Sequence, residues 1–209
     1  MRSVLVTGGT TRVGAVIAAR LRAAGWRVLT SSRRPDAGAD FVADLADSAG
    51  AVRLYAEVLK ALGRPPDALV NNAALFAGSD AALETLNFTA PKKLTLLMAA
   101  RETGRGSVVN ILDTRVLRAA DGVEGAYAAA KRRLLDHTRS AAETYADTLS
   151  VNGVAPGPVM VPTDVHEKAG ALLTVRPTPE DVAAAVVFLL ETPSVTGCVI
   201  PVDGGQHLL

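Results

Sequence analysis

The 209-residue chain has one cysteine, Cys198, so it can form no internal disulfide and no cysteine-based zinc centre. It has no excess of either charge. The 22 basic and 21 acidic side chains leave a formal +1, which gives no footprint for nucleic acid or an anionic membrane. It has no long apolar run either, the strongest being residues 183–190, far below the roughly 18 that a bilayer span requires. No signal-peptide pattern precedes the first strand-like run, and no repeat, low-complexity tract or domain linker interrupts the chain after it. The composition is 49% hydrophobic and 21% charged, values that fit neither disorder nor a fibre. The expectation is a soluble, cytoplasmic protein with one domain over residues 1–209 and no metal.

Short β-branched runs alternate with helical patterns from end to end. Strands are expected at 3–7, 27–31, 40–43, 68–71, 107–112, 148–154 and 198–202. Helices are expected at 12–24, 48–62, 81–102, 123–146 and 179–191. Val4, Leu5 and Val6 show no polar alternation, as suits a strand covered on both faces. The alternation predicts an α/β fold with a parallel sheet of about seven strands and helices on both sides. The segment 156–179 holds five prolines and little periodicity, and reads as a long functional loop or lid.

The first strand runs into Thr7-Gly8-Gly9-Thr10-Thr11-Arg12-Val13-Gly14 and then a helix. Glycines there let backbone approach a pyrophosphate, and the helix start offers free N–H groups and a positive dipole end. Gly8, Thr10, Arg12, Val13 and Gly14 are the candidate phosphate-side contacts. After the second strand come Ser31-Ser32-Arg33-Arg34, with no acid until Asp36. An acid at that place would bind ribose hydroxyls, whereas Ser32, Arg33 and Arg12 suit a 2′-phosphate, so NADPH is the expected cofactor. The other reading of Arg33 and Arg34 is a solvated pair. Asp44-Leu45 stands where a carboxylate could accept the adenine amino group, or where Asp could cap the next helix.

Tyr127 and Lys131 are four residues apart in a helical pattern, so phenol and ammonium share one face. An ammonium about 5 Å away would favour the phenolate by roughly 3 kcal/mol, or about two pKa units. The pair is therefore expected to act in acid–base catalysis.

These motifs, with Asn71-Asn72-Ala73-Ala74 and Pro156-Gly157, resemble in order and position those of the short-chain dehydrogenase/reductase family. The resemblance covers essentially the whole chain and implies a single doubly wound Rossmann domain with hydride transfer coupled to a tyrosine proton. It implies that Tyr127 is the acid and that Lys131 tunes it and holds the nicotinamide ribose. Asn87 would anchor a water relay behind the lysine, and Asn72, Ala73, Pro156 and Gly157 would line the cofactor. Relatives of this kind imply a homo-oligomer, a tetramer.

One position departs from most of that family. Asn110-Ile111-Leu112-Asp113 puts an acid where a serine usually meets the substrate carbonyl. An ionised carboxylate cannot donate to a carbonyl; it suits a substrate with N–H groups or a proton relay. Asp113, Arg12, and Phe76 within Asn72-Ala73-Ala74-Leu75-Phe76 resemble pteridine reductases, where the phenyl ring covers the pterin. The ending around Asp203-Gly204-Gly205 and His207-Leu208 is similar to dihydromonapterin reductases. A pterin-like small molecule is thus the expected substrate, bound by Phe76, Asp113 and Tyr127. A carbonyl or 3-oxoacyl reductase is the alternative, and a non-catalytic NADPH-binding protein a third reading. Only 15 positions separate Asn72 from Asn87, so the helix that usually walls the substrate site is expected to be missing. His207 is expected at the surface or a subunit contact; His137 and His166 carry no expected role.

Overall fold

Alternate residues of the first strand face opposite layers of the molecule. In β1 (Ser3–Thr7), Leu5 points to one side and Val4 and Val6 to the other, and all are fully buried. The computed structural model describes residues 1–102, 104–118, 125–160 and 171–209. The other strands are β2 (Arg27–Ser32), β3 (Phe41–Val42), β4 (Ala68–Asn71), β5 (Gly106–Ile111), β6 (Leu149–Pro156) and β7 (Val199–Val202). They form one seven-stranded parallel sheet in the order β3-β2-β1-β4-β5-β6-β7.

The helices are α1 (Arg12–Ala23), α2 (Gly50–Leu62), α3 (Asp80–Glu84), α4 (Ala90–Ala99), α5 (Gly125–Thr144) and α6 (Pro179–Glu191). On one face Leu5, Leu69 and Val108 pack against Leu54 and Val58 of α2, Leu94 and Met98 of α4, and Ala141 of α5. On the other, Val6, Val70 and Val109 pack against Ile17 and Leu21 of α1 and Val182 and Val186 of α6. Each aliphatic side chain so enclosed contributes roughly 1.5–3 kcal/mol relative to exposure. The fold is therefore the doubly wound α/β domain expected. The strand order reverses between β1 and β4, and the crevice beyond the carboxyl ends of those strands is where such sheets bind ligands.

Two details shape that crevice. Residues 72–79 form an irregular connection with no helix, and α3 and α4 are joined through a π-helical stretch, Thr85–Thr89. The expected short wall is thus present as a loop. Of the expected loop 156–179, residues 161–170, with His166, lie outside the described residues. Among the described residues no helix is long and apolar enough to cross a membrane.

Candidate active site

The turn after β1 is built so that backbone, not side chain, faces the crevice. Gly8 has φ +63°, and a Cβ on Gly14 would collide with the Gly8 carbonyl oxygen, so neither place accepts another residue easily. Asn72 Nδ2 donates to the Thr7 and Gly8 carbonyls at 2.9 and 3.1 Å, while Thr7 Oγ1 accepts from the N–H groups of Asn72 and Ala73. Asn72 thus lines the crevice and also clamps the glycine turn to the end of β4. The first turn of α1 has no side-chain cap and no acidic residue, which leaves its N–H groups and positive dipole end for an anion. Arg12, the first residue of α1, lies in the left-handed region at φ 52°, a conformation that non-glycine residues adopt at some cost.

One cleft of about 990 Å³ extends from this turn. It is lined by Gly8, Thr10, Arg12, Val13 and Gly14 on the turn, and by Ser32, Arg33, Asp44 and Leu45 beyond β2 and β3. Asn72, Ala73, Phe76, Asp113, Tyr127, Lys131, Pro156 and Gly157 complete it among the expected residues. The size and donor set fit a phosphorylated dinucleotide. Three arginines, Arg12, Arg33 and Arg34, stand at one end with exposed side chains. Asp44 is not the cap of α2: that helix begins at Gly50, and Asp44 Oδ1 accepts from Ala46 N at 2.9 Å in a local turn.

The other end of the cleft holds the tyrosine. The Tyr127 hydroxyl donates to Asp113 Oδ2 at 3.1 Å, and the Phe76 ring lies on the Tyr127 ring with centroids 5.0 Å apart. Lys131 is only 2% exposed and donates through Nζ to the Ile111 carbonyl at 2.7 Å. Burial lowers its pKa to about 8, with Asp113 opposing the shift. The phenol moves opposite to the expectation. Burial raises it most, the Asp113 charge and hydrogen bond raise it further, and Arg115 pulls it part of the way back. Burial is the main cause, and the carboxylate adds to it: it accepts the phenolic proton in a hydrogen bond and would repel a phenolate. Tyr127 is therefore held as a neutral proton donor.

Asp113 itself stays ionised. Burial would raise its carboxyl, but hydrogen bonds from the Arg115 guanidinium and backbone N–H outweigh that and hold it below the usual range. Arg115 grips it as a fork, Nε to Oδ1 at 3.0 Å and Nη2 to Oδ2 at 2.8 Å. Sequence reasoning missed Arg115; the Asp-Thr-Arg spacing at the start of a 3-10 turn (Thr114–Leu117) was the available signal.

Further side chains tie together the loops around the cleft. Asn87 is fully buried and does not touch the lysine: Oδ1 accepts from Leu75 N, while Nδ2 donates to the carbonyls of Leu75 and Leu83. It fixes the loop that carries Phe76. His207 is partly exposed. Its Nδ1 lies 2.9 Å from buried Asp203 Oδ2, to which Thr114 Oγ1 also donates, so the C-terminal turn is tied to the loop after Asp113. Arg176 and Gln206 also line the cleft, Arg176 through a bond from Nε to the Pro158 carbonyl at 3.0 Å.

The chain is similar over nearly its whole length to several known proteins. A family model described as enoyl-(acyl carrier protein) reductase matches residues 10–207. A crystal structure of FolM alternative dihydrofolate reductase 1 from Brucella canis, complexed with NADP, superposes with a TM-score of 0.87 at 29% identity, covering 100% of this chain and 95% of that one. Protein FixR of Bradyrhizobium diazoefficiens is 33% identical over 98% of this chain and 86% of its own length. The dihydromonapterin reductase of Enterobacter sp. (strain 638) is 28% identical, over 99% of this chain and 97% of its own. A 3-oxoacyl-[acyl-carrier-protein] reductase of Bos taurus is 30% identical over 97% of each.

Proposed function

The chain belongs to the short-chain dehydrogenase/reductase family, and from that premise we propose that it is an NADPH-dependent reductase of pterins. The observation that carries this reading is the Asp113 carboxylate 3.1 Å from the Tyr127 hydroxyl, beside the Phe76 ring that packs on the tyrosine. A flat heterocycle suits a slot edged by aromatic faces, where stacking is worth roughly 0.5–1.5 kcal/mol beyond burial. The likeness to the FolM structure and to dihydromonapterin reductase supports the same substrate class.

In this reading NADPH, when bound, supplies the hydride to an imine-type ring carbon. Tyr127 gives its proton to the adjacent ring nitrogen, for which a neutral phenol is the required starting form. Lys131 holds the nicotinamide ribose and returns the phenol to its protonated form. Arg12, Arg33 and Ser32 receive the 2′-phosphate, Asp44 and Leu45 the adenine, and the α1 N-terminus the pyrophosphate. Gly8, Thr10, Val13, Gly14, Asn72, Ala73, Pro156 and Gly157 form the walls. A second reading, reduction of a carbonyl such as a 3-oxoacyl thioester, is favoured by the cationic fork of Arg115 beside the tyrosine and by the 3-oxoacyl reductase relative.

The deciding experiment is NADPH oxidation with dihydrobiopterin, a small ketone and an acetoacetyl thioester. Turnover of the pterin above the other two is expected. Turnover of the ketone or thioester alone replaces the first reading with the second, and turnover of none removes both.

A further inference from the structure

All the acceptor positions of the Asp113 carboxylate are taken. Oδ1 accepts from the Arg115 backbone N–H at 2.9 Å and from Nε at 3.0 Å. Oδ2 accepts from Arg115 Nη2 at 2.8 Å and from the Tyr127 hydroxyl at 3.1 Å. A carboxylate offers about four lone-pair sites, so none is free for a substrate while the Tyr127 hydroxyl donates to it. Its charge is partly offset by the guanidinium, although at Tyr127 the carboxylate still outweighs it. The groups still uncommitted belong to Arg115. Its side chain is 57% exposed against 15% for Asp113, and it lines the cleft with Phe76 and Tyr127. Among the described residues its Nη1 makes no hydrogen bond. The guanidinium carbon stands 5.2 Å from the centre of the Tyr127 ring.

We infer that Arg115 is a catalytic residue: its guanidinium, aimed by Asp113, is the donor that stabilises the negative charge developing beside the Tyr127 hydroxyl. With Nε and Nη2 pinned by the carboxylate, the plane of the guanidinium is set, so the Nη1 donors are available to the cleft without further ordering. Preorganised donors of this kind are the largest single contribution in many active sites. Asp113 is then a positioning residue for Arg115 as well as a partner of Tyr127.

The reaction adds a hydride and a proton across a C=N or C=O bond. The two electrons arrive with the hydride as NADPH becomes NADP⁺, and the π pair moves to nitrogen or oxygen. That atom takes the proton of the Tyr127 hydroxyl, and the phenolate regains one by way of Lys131, which is reprotonated from solvent. Arg115 makes no covalent bond; it holds the nitrogen or oxygen while it is electron-rich. The inference rests on Tyr127 as the proton donor and not on the substrate being a pterin.

The test compares wild type, Arg115→Ala and Arg115→Lys on dihydrobiopterin and on an acetoacetyl thioester, with NADPH affinity read separately by nucleotide fluorescence. Arg115→Ala should lose about 10²-fold in kcat, the usual result of removing one such donor, with NADPH affinity unchanged. Millimolar guanidinium should restore turnover in Arg115→Ala and not in Tyr127→Phe. Arg115→Lys keeps the charge without the fork and should bind NADPH normally while turning over more slowly than wild type. Should Arg115→Ala fail to fold, Arg115→Lys decides alone. Full kcat in whichever variant is folded overturns the inference, as does an Arg115→Ala loss that guanidinium does not relieve. Wild-type turnover of the thioester but no pterin overturns the proposed substrate and leaves Arg115 tested on the thioester. Turnover of neither overturns both.

Discussion

Asn87 grips the backbone of Leu75 from both sides, accepting its N–H at 3.2 Å and donating to its carbonyl at 2.8 Å. The two residues are twelve positions apart, and the grip spans the shortened connection between β4 and α4. It also places the next residue, Phe76, against Tyr127. A loop that would otherwise be free to swing is thereby held at the substrate end of the cleft. Asn87→Ala should leave two part-buried backbone groups of Leu75 without this partner, at up to roughly 1 kcal/mol each, below the cost for a fully buried group. The expected outcome is a lower Tm together with a raised KM for substrate, while NADPH affinity stays near wild type. A KM that does not move would show that Phe76 needs no such support.

The nucleotide end predicts a cofactor preference. NADPH should bind at least about tenfold tighter than NADH, a difference of about 1.4 kcal/mol, because Arg12 and Arg33 meet the 2′-phosphate. The double change Arg12→Ala and Arg33→Ala should bring the two dissociation constants together. Equal constants in the unmodified protein would refute the assignment.

Tyr127→Phe removes the proton donor and leaves the ring against Phe76. Turnover should fall by roughly 10²–10⁴-fold, the range for general acid–base groups, with little change in NADPH binding. Lys131→Ala should weaken both. Single-turnover rates beside fluorescence titrations separate the two effects.

Lys131 also predicts a pH dependence. Its pKa is lowered from an ordinary 10.5 to about 8, so the ammonium is lost as pH rises through about 8 in the folded protein. In the free enzyme kcat/KM should therefore fall on that alkaline side. Stability moves the other way. Between about pH 8 and 10.5 the unfolded chain binds the extra proton, so the lysine's burden on the fold shrinks as pH rises. Lys131→Met should be inactive yet melt at a higher Tm than wild type at pH 7, with the gap closing toward about pH 10. A lower Tm for Lys131→Met at pH 7 would contradict this.

Asp113→Ser removes the anchor of Arg115 and the negative charge beside Tyr127. Pterin turnover should drop by at least about tenfold. Ketone turnover should drop less, since a hydroxyl can donate to a carbonyl oxygen. A fall of equal size on both substrates would mean that Asp113 does not discriminate between them.

The frame of the molecule was legible because buried parallel strands are short, continuous and β-branched. Val4-Leu5-Val6 and Ala68–Asn71 needed no context to be read. Where structure departs from expectation, a side chain has intervened. β3 shrinks to Phe41–Val42 because Asp40 turns its carboxylate to the Thr30 N–H and hydroxyl at 2.7 and 2.8 Å. The π-helical stretch at Thr85–Thr89 left no mark on the apolar periodicity, although it sets where Asn87 points. In the cleft, glycines, Tyr127 and Lys131 announced themselves by spacing. Arg115 did not, because its importance lies in what it faces. The bond from Thr114 to Asp203, which also meets His207, joins positions 89 residues apart with no pattern between them.

The strained backbone at Arg12 has a bearing on how this chain could change. A left-handed φ of 52° sits more comfortably on glycine than on arginine, by an amount of order 1 kcal/mol. Arg12→Gly would therefore relax the polypeptide while taking away one of the cations proposed to meet the 2′-phosphate. Loss of discrimination between the two dinucleotides lies downhill in foldedness, and retaining it lies uphill.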